Sequence, residues 1–421
     1  MPNWATDAPD AKHLRLFLPG EGWRSYADRV GGDGRTEAGS QRLIESAFLN
    51  ALNATNLVIL TGTGSSFAAK NPVGKPEPAG MAALWIAVEA AVGTATFEEV
   101  GKRFTSANVD KNIEKLLTLC KLFLELNETS TDATTEQMRK FVADAERCIL
   151  ATVDFVDADT NLDAHALVVQ KVGRRGHRKP RAKFFTTNYD LCFEEAARRH
   201  RFTIIDGFSH TLVQTYDRGH FDHDIVRREA GKDAPDYIEN VFHLYKLHGS
   251  IDWRRMPDGE IIRSRNDVGE PILIYPRSSK YQEAFDAPYL DMMGALQAAL
   301  REPDTALVIS GFGFNDDHLS RPILSAIESN LSMRLVICDP AFLSAGALAL
   351  DEHAVNAPLA TTNKFYAAFH RLAASGDARL HLINGRFSDM AHALPDLIGE
   401  TDRERHAARI RVLRGEEGKA P

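Results

Sequence analysis

Five short stretches place glycine, amide, imidazole or carboxylate groups directly after apolar runs. They are Gly62-Thr63-Gly64-Ser65-Ser66, Asn188-Tyr189-Asp190, His248-Gly249-Ser250, Gly311-Phe312-Gly313-Phe314-Asn315-Asp316 and Asp339-Pro340. A Gly-Thr-Gly-Ser-Ser turn offers backbone N–H groups without a Cβ in the way, which suits a pyrophosphate at the start of a helix. Phe67 stands where the third glycine of a dinucleotide fingerprint would be, so a tight structural turn is the alternative. Gly311 and Gly313 form a second cradle with the same alternative. Asp339 can accept hydrogen bonds from sugar hydroxyls, or cap a turn before Pro340. Asn188 carries a donor and an acceptor on one amide. Asp190 can serve beside it, or simply cap the helix LCFEEAARRH. His248 carries an imidazole, which can take a proton from a hydroxyl or a water. Its alternative is a core histidine with satisfied nitrogens; the following Gly249 leaves room for a ligand and favours the first reading.

Metal chemistry has no comparable signal. Cys120, Cys148, Cys192 and Cys338 lie 28, 44 and 146 positions apart, so no C-x-x-C pair exists and four buried thiols are expected. The nearest His/Asp cluster, His220-Phe221-Asp222-His223, reads as a polar loop. No metal is expected.

The elements that must carry these groups follow from periodicity. Leu57–Leu60 is a continuous apolar run of the kind buried on both faces of a parallel sheet. Further strands are predicted at 183–187, 202–205, 241–247, 271–275, 305–310, 333–338 and 379–383, with helices at 41–54, 190–200, 286–301 and 317–330. Alternating strands and helices imply an α/β fold with a doubly wound, mostly parallel, Rossmann-like sheet. Residues 81–180 read as helical almost throughout, a large insertion between the first strand and the next. Within it, 171–183 is strongly basic: a solvated loop, or a contact for phosphates or an acidic partner. The division expected is an N-terminal segment 1–45 containing a turn-rich GGDG, the main domain 46–400, and a charged tail 401–421. In open α/β sheets ligands bind outside the carboxyl ends of the strands, where strand order reverses. All five stretches above sit at such ends.

A net charge of −8 argues against general affinity for nucleic acid, and no direct sequence-specific binding is expected. No run reaches the roughly 18–20 apolar residues of a membrane helix. The first residues lack a basic-then-apolar leader pattern, so a cytoplasmic protein is expected.

The order GTGSS, TTNYD, KLHGS, GFGFND and CDP resembles the sirtuin-like superfamily, in its divergent bacterial branch. The resemblance implies that Gly62, Thr63, Gly64, Ser65 and Ser66 hold the phosphates of NAD⁺. It implies that Asn188 positions the nicotinamide ribose and a reactive water, with Asp190 as acidic partner, and that His248 is the catalytic histidine. Gly311, Gly313 and Asn315 would lie around the phosphates and the adenine-side ribose, and Asp339 would contact the adenosine ribose. Two features depart from the protein deacetylases: NPVGKPEPAGM replaces a Pro-Asp-Phe-Arg segment, and the four-cysteine zinc module is absent. The missing module helps to build the groove for an acetyl-lysine peptide, so its absence favours water as acceptor. The resemblance therefore implies an NAD⁺ hydrolase, a regulated effector of anti-phage defence acting as a homo-oligomer, with a HerA-like ATPase as possible partner. A protein deacylase and a non-catalytic nucleotide-sensing module are the alternatives. The insertion is expected to act as an oligomer interface or a lid.

Overall fold

The run Asn56–Thr61 is apolar from Leu57 to Leu60 because both of its faces are covered. Leu57 and Ile59 join one hydrophobic core, and Val58 and Leu60 join the other. The same alternation recurs at Ala306/Val308 against Leu307/Ile309, and at Val336 against Leu335/Ile337. Successive side chains of a strand point to opposite faces, so this pattern requires a helical layer on each side. One layer contains Gln41–Asn53, Asp163–Gly173, Cys192–Arg199 and Phe387–Ala393; the other contains Tyr289–Arg301, Asp317–Ser329 and Lys364–Ala374. The computed structural model describes residues 8–397 apart from 32–33, 108, 177–178, 229–235, 274–286 and 351. The expected tail 401–421 and part of GGDG lie outside the described residues.

The main sheet has ten strands in the order Ala354–Val355, Gly22–Ser25, Arg15–Leu18, Leu380–Asn384, Arg334–Cys338, Thr305–Ser310, Asn56–Thr61, Lys183–Thr186, Val241–Lys246 and Thr203–Ile205. From Leu380–Asn384 onward every pairing is parallel. The fold is thus α/β, with a mostly parallel Rossmann-like sheet. The first three strands pair antiparallel along one edge. Residues 15–25, read from sequence as an N-terminal segment, are therefore part of the sheet. After Asn56–Thr61 the chain builds outward on one side, then returns to lay Thr305–Ser310 on the other. Strand order reverses between these two neighbours.

The insertion is smaller than 81–180. Met81–Val92, Thr94–Arg103, Ile113–Leu126 and Ala133–Val153 share a core of their own. Its pattern is helical: Ile113, Leu116, Leu117 and Cys120, then Met138, Phe141, Val142, Ala145 and Ile149. Tyr189, Ile251 and Leu273 from outside the insertion complete that core. The next helix, Asp163–Gly173, packs Val168, Val169 and Val172 on the sheet and belongs to the main layer. Sequence periodicity could not separate the two because both are amphipathic. Among the described residues no single helix is long and apolar enough to cross a membrane.

The basic stretch that follows is used internally. Arg175 is buried and donates to the carbonyls of Leu52, Ala54 and Thr55, closing the end of the Gln41–Asn53 helix. Lys171 donates to the carbonyls of Ala391 and Leu394, and Arg181 pairs with Asp224. The expectation of a solvated or phosphate-binding segment gives way to this structural role.

The strand predicted at 271–275 forms as Glu270–Leu273, outside the main sheet; residues 274–275 lie outside the described residues. It pairs antiparallel with Gly249–Arg255, which also pairs with Ile261–Arg263. Gly249 has φ +88°, and a Cβ there would lie 2.1 Å from the Ile272 carbonyl oxygen. Glycine is required at 249 by backbone conformation and a close strand crossing, not by a ligand.

Candidate active site

Register brings the strand ends to one level. Cys338, Ser310, Thr61, Thr186 and Lys246 are successive partners across the parallel sheet. Asp339, Gly311 and Gly62, next after the first three, and Asn188 and His248, two positions after the last two, all line one cavity of about 1400 Å³. A drug-sized ligand site is roughly 300–1,000 Å³, so a dinucleotide has room. The cavity opens at the point where strand order reverses, as the fold rule requires.

The two glycine stretches pack on each other. Gly311 has φ +69°, and a Cβ on Gly64 would lie 2.5 Å from the Gly311 Cα. The Gly64 N–H donates to the Gly311 carbonyl at 2.9 Å, and the Ser65 N–H to the Gly62 carbonyl at 2.8 Å. Two of the N–H groups expected to face phosphates are thus committed inside the loop. Ser65 is fully buried, away from the cavity, with its hydroxyl donating to the Gly62 carbonyl at 2.8 Å. Gly62, Thr63, Gly64 and Ser66 do line the cavity, as do Gly311, Gly313 and Asn315.

Asn188 is the hub of a hydrogen-bond network. Its Nδ2 lies 3.0 Å from the Gly62 carbonyl, 3.0 Å from Ser65 Oγ and 2.8 Å from Ser66 Oγ. A carbonyl can only accept, so the amide nitrogen must face the loop. Asn188 Oδ1 is then left pointing away from it, buried and without a hydrogen-bond partner. Ser66 Oγ donates in turn to Asp190 Oδ2 at 2.5 Å. Asp190 Oδ1 accepts from the Cys192 N–H at 3.0 Å, capping the helix behind it. Asp190 lines the cavity, yet both its oxygens are engaged.

His248 and Asp316 form a buried pair, Nε2 to Oδ2, at 3.2 Å. Burial pushes the Asp316 carboxyl up, but the His248 hydrogen bond and charge, with the His318 N–H, hold it below the ordinary carboxylate value. Asp316 also caps Asp317–Ser329 through that N–H at 2.9 Å. The sequence alone assigns Asp316 no role, because the partner it meets lies 68 positions away.

At the far end, Asp339 accepts from the Ala341 N–H at 2.8 Å, so the turn cap expected as the alternative is present. It also lines the cavity. Burial raises its carboxyl to about 6, against the Ala341 and Tyr366 hydrogen bonds that lower it.

Other groups escaped the sequence reading altogether. Lys246, 2% exposed, donates to the carbonyls of Tyr189 and Asp190 and to Glu194 Oε1 at 3.0 Å. It fastens the turn that carries Asn188. Glu114, in the first turn of Ile113–Leu126, lines the cavity and accepts from Tyr189 Oη at 2.8 Å. Nothing in the periodicity of the insertion distinguishes Glu114 from the other acids on its helices. Met81, Leu84, Leu119, Leu122 and Val153 make the rest of that wall largely apolar.

Residues 182–346 match a SIR2-like domain. The match supports the sirtuin-like superfamily for this chain. It spans Asn188, Asp190, His248, the loop from Gly311 to Asp316, and Asp339. The SIR2-like match begins after the Asn56–Thr61 strand, its glycine turn and the insertion. No curated protein matches the chain. Among the described residues no group of three or more His, Cys, Asp or Glu is placed to hold a metal ion. His220 contacts the Gly207 carbonyl and the His223 ring instead.

Proposed function

We propose that this protein hydrolyses NAD⁺ to ADP-ribose and nicotinamide. The SIR2-like family uses NAD⁺, and one observation carries the reading for this chain. Asn188, whose Oδ1 is buried and unpartnered, and the His248–Asp316 pair line a single cavity at the reversal of strand order. A buried acceptor without a donor costs about 1–3 kcal/mol, so a ligand hydroxyl or a water that donates to Oδ1 is strongly favoured there.

The reaction breaks the bond between the ribose anomeric carbon and the nicotinamide nitrogen, and the electron pair leaves with nicotinamide. Water oxygen bonds the anomeric carbon and releases one proton. Positive charge builds on the sugar in the transition state, as in glycoside hydrolysis. Asn188 Oδ1 orients the donor that reaches it, and its nitrogen locks the loop. The Asp316 carboxylate accepts the Nε2 proton of His248, which leaves Nδ1 as the basic nitrogen. Asp316 then stabilises the imidazolium when that proton arrives. Asp190 acts through Ser66 as a positioning residue rather than on the substrate. Gly62, Thr63, Gly64, Ser66, Gly311, Gly313 and Asn315 are the phosphate and ribose contacts in this reading, with Asp339 at the adenosine ribose.

The resemblance of the motifs extends the proposal to a cytoplasmic, oligomeric, regulated effector of anti-phage defence, with a HerA-like ATPase as possible partner. The apolar wall favours one second reading, transfer of an acyl group from lysine, because it offers an apolar compartment beside His248. The test is incubation of the purified protein with NAD⁺, alone, with the ATPase, and with an acyl-lysine peptide, followed by chromatography. Nicotinamide and ADP-ribose without peptide support the hydrolase. Products that form only with peptide, as acyl-ADP-ribose, select the deacylase. Intact NAD⁺ in every arm sinks both.

A further inference from the structure

We propose that Glu114, presented by the helical insertion, is a catalytic residue: its carboxylate faces the cationic nicotinamide and the charge that develops on the ribose. This rests on the NAD⁺ reading above and names what recognises the oxidised ring.

Asn112 Oδ1 accepts from the Lys115 N–H at 3.0 Å and starts the Ile113–Leu126 helix beside the cavity. Ile113, Leu116, Leu117 and Cys120 are buried in the insertion core, which fixes the rotation of the helix and turns Glu114 to the cavity. Tyr189 stands between Asn188 and Asp190, and its hydroxyl donates to Glu114 Oε1 at 2.8 Å. The Tyr189 ring centre is 6.4 Å from that of His248. Glu114 is therefore tied to the same turn that carries Asn188, from the opposite wall.

The charged surroundings agree. The groups facing Glu114 are His248, Tyr189 and Asp316. Burial raises the carboxyl, the His248 charge and the Tyr189 hydrogen bond offset this only in part, and Asp316 adds to it, so Glu114 stands above the ordinary carboxylate value while the cavity holds no cation. A carboxylate that burial penalises gains most from a cation placed in the cavity, because Coulomb attraction strengthens as water is excluded. The pyridinium ring of NAD⁺ is such a cation, and the dihydropyridine ring of NADH is not. The site would therefore distinguish the two oxidation states.

The test uses the full chain with Glu114→Gln, Glu114→Asp and Tyr189→Phe. Binding of NAD⁺ and NADH is measured by calorimetry, and turnover by nicotinamide release. Glu114→Gln keeps shape and removes charge. It should lower kcat about 10²-fold with little change in KM, and cut the preference for NAD⁺ over NADH about tenfold. Glu114→Asp should restore part of both. Tyr189→Phe should keep the NAD⁺ preference, since the carboxylate remains. Thermal melting checks that each variant folds. A Glu114→Gln protein with wild-type kcat and an unchanged NAD⁺/NADH ratio overturns the role of Glu114 while leaving the hydrolase intact. A wild-type protein that binds neither nucleotide overturns both.

Discussion

The floor and the wall of the cavity are built by different rules. The floor consists of strand ends whose polar groups bond to one another: Asn188 to the glycine turn, Ser66 to Asp190, His248 to Asp316. The wall is a helical insertion with its own apolar core, contributing mostly hydrocarbon and Glu114. Residues 182–346 match a known domain and hold most of the floor, whereas the insertion lies outside the match. Rigid strand ends suit groups that must be held to a fraction of an ångström, because every neighbour is fixed by the sheet register. An added wall suits selection of what enters. Reaction type should therefore depend on the floor, and substrate choice on the wall.

The largest expected effect tests the floor. His248→Ala should lower NAD⁺ hydrolysis about 10²–10⁴-fold, the usual loss for a positioned acid–base group. Asp316→Asn should cost less, about 10–10²-fold, because the imidazole stays but loses its counter-charge. Far-UV circular dichroism and thermal melting check that each variant stays folded, since breaking a buried pair also lowers stability. Wild-type turnover by His248→Ala would remove the floor as the seat of chemistry.

Next in size is a test of how firmly the wall is joined to the floor. Leu117 is fully buried in the insertion core. Leu117→Ala should destabilise by about 2–5 kcal/mol, read from urea unfolding. Tyr189, Ile251 and Leu273 belong to that same core, so one unfolding transition is expected. Two transitions, with hydrolysis surviving the first, would show the wall to be an independent body and break the comparison.

This division also governs how much could be read in the sequence. The floor was legible because strands buried on both faces leave unbroken apolar runs such as 57–60 and 306–309, and the glycine or polar group soon after each run marks a strand end. Asp316 was harder, since a carboxylate starting a helix looks like a cap and is one. The Gly249–Arg255 strand was missed because its first residue reads as a ligand-facing turn, whereas Ile272 demands it. Glu114 was out of reach. Periodicity shows which helix face is buried, but not that its first turn abuts a turn 75 positions on. Lys246 looks like the solvated end of the Val241–Lys246 strand until Glu194 and two carbonyls are seen around it.

A smaller effect concerns the support beneath the floor. His165 lies between Phe193 and Phe387, fully buried, with neither ring nitrogen bonded. Burial lowers its pKa to about 4, and the nearby Asp190 raises it only in part. The stability it permits is present above its unfolded value near 6.5 and is lost as pH falls toward 4. The shift corresponds to about 3 kcal/mol. His165→Phe should flatten the acid side of the stability curve, measured by urea unfolding from pH 7.5 to pH 4.5. An equally steep acid loss in the variant would mean that His165 finds a partner, and that the floor is polar to its underside.

The smallest expected effect asks whether the adenosine end of the floor is kept for a ligand. Asp339 is raised to about 6 by burial, so its ionised form is disfavoured in the folded chain. For a carboxyl raised in this direction, the penalty is absent below about pH 4, grows up to about pH 6 and is complete above it. The full penalty is on the order of 3 kcal/mol before relaxation, and less after it. Asn at 339 retains an oxygen for the Ala341 N–H and the Tyr366 hydroxyl while removing the charge. Asp339→Asn should therefore be more stable than wild type at pH 7.5, with the gap closing toward pH 4. In the NAD⁺ reading the same change should weaken nucleotide binding, since an ionised acceptor for ribose hydroxyls is lost. Opposite signs for stability and affinity would mark a residue held against the interest of folding. A gain in stability with unchanged affinity would reduce Asp339 to the turn cap it already is, and would move the adenosine contact elsewhere on the floor.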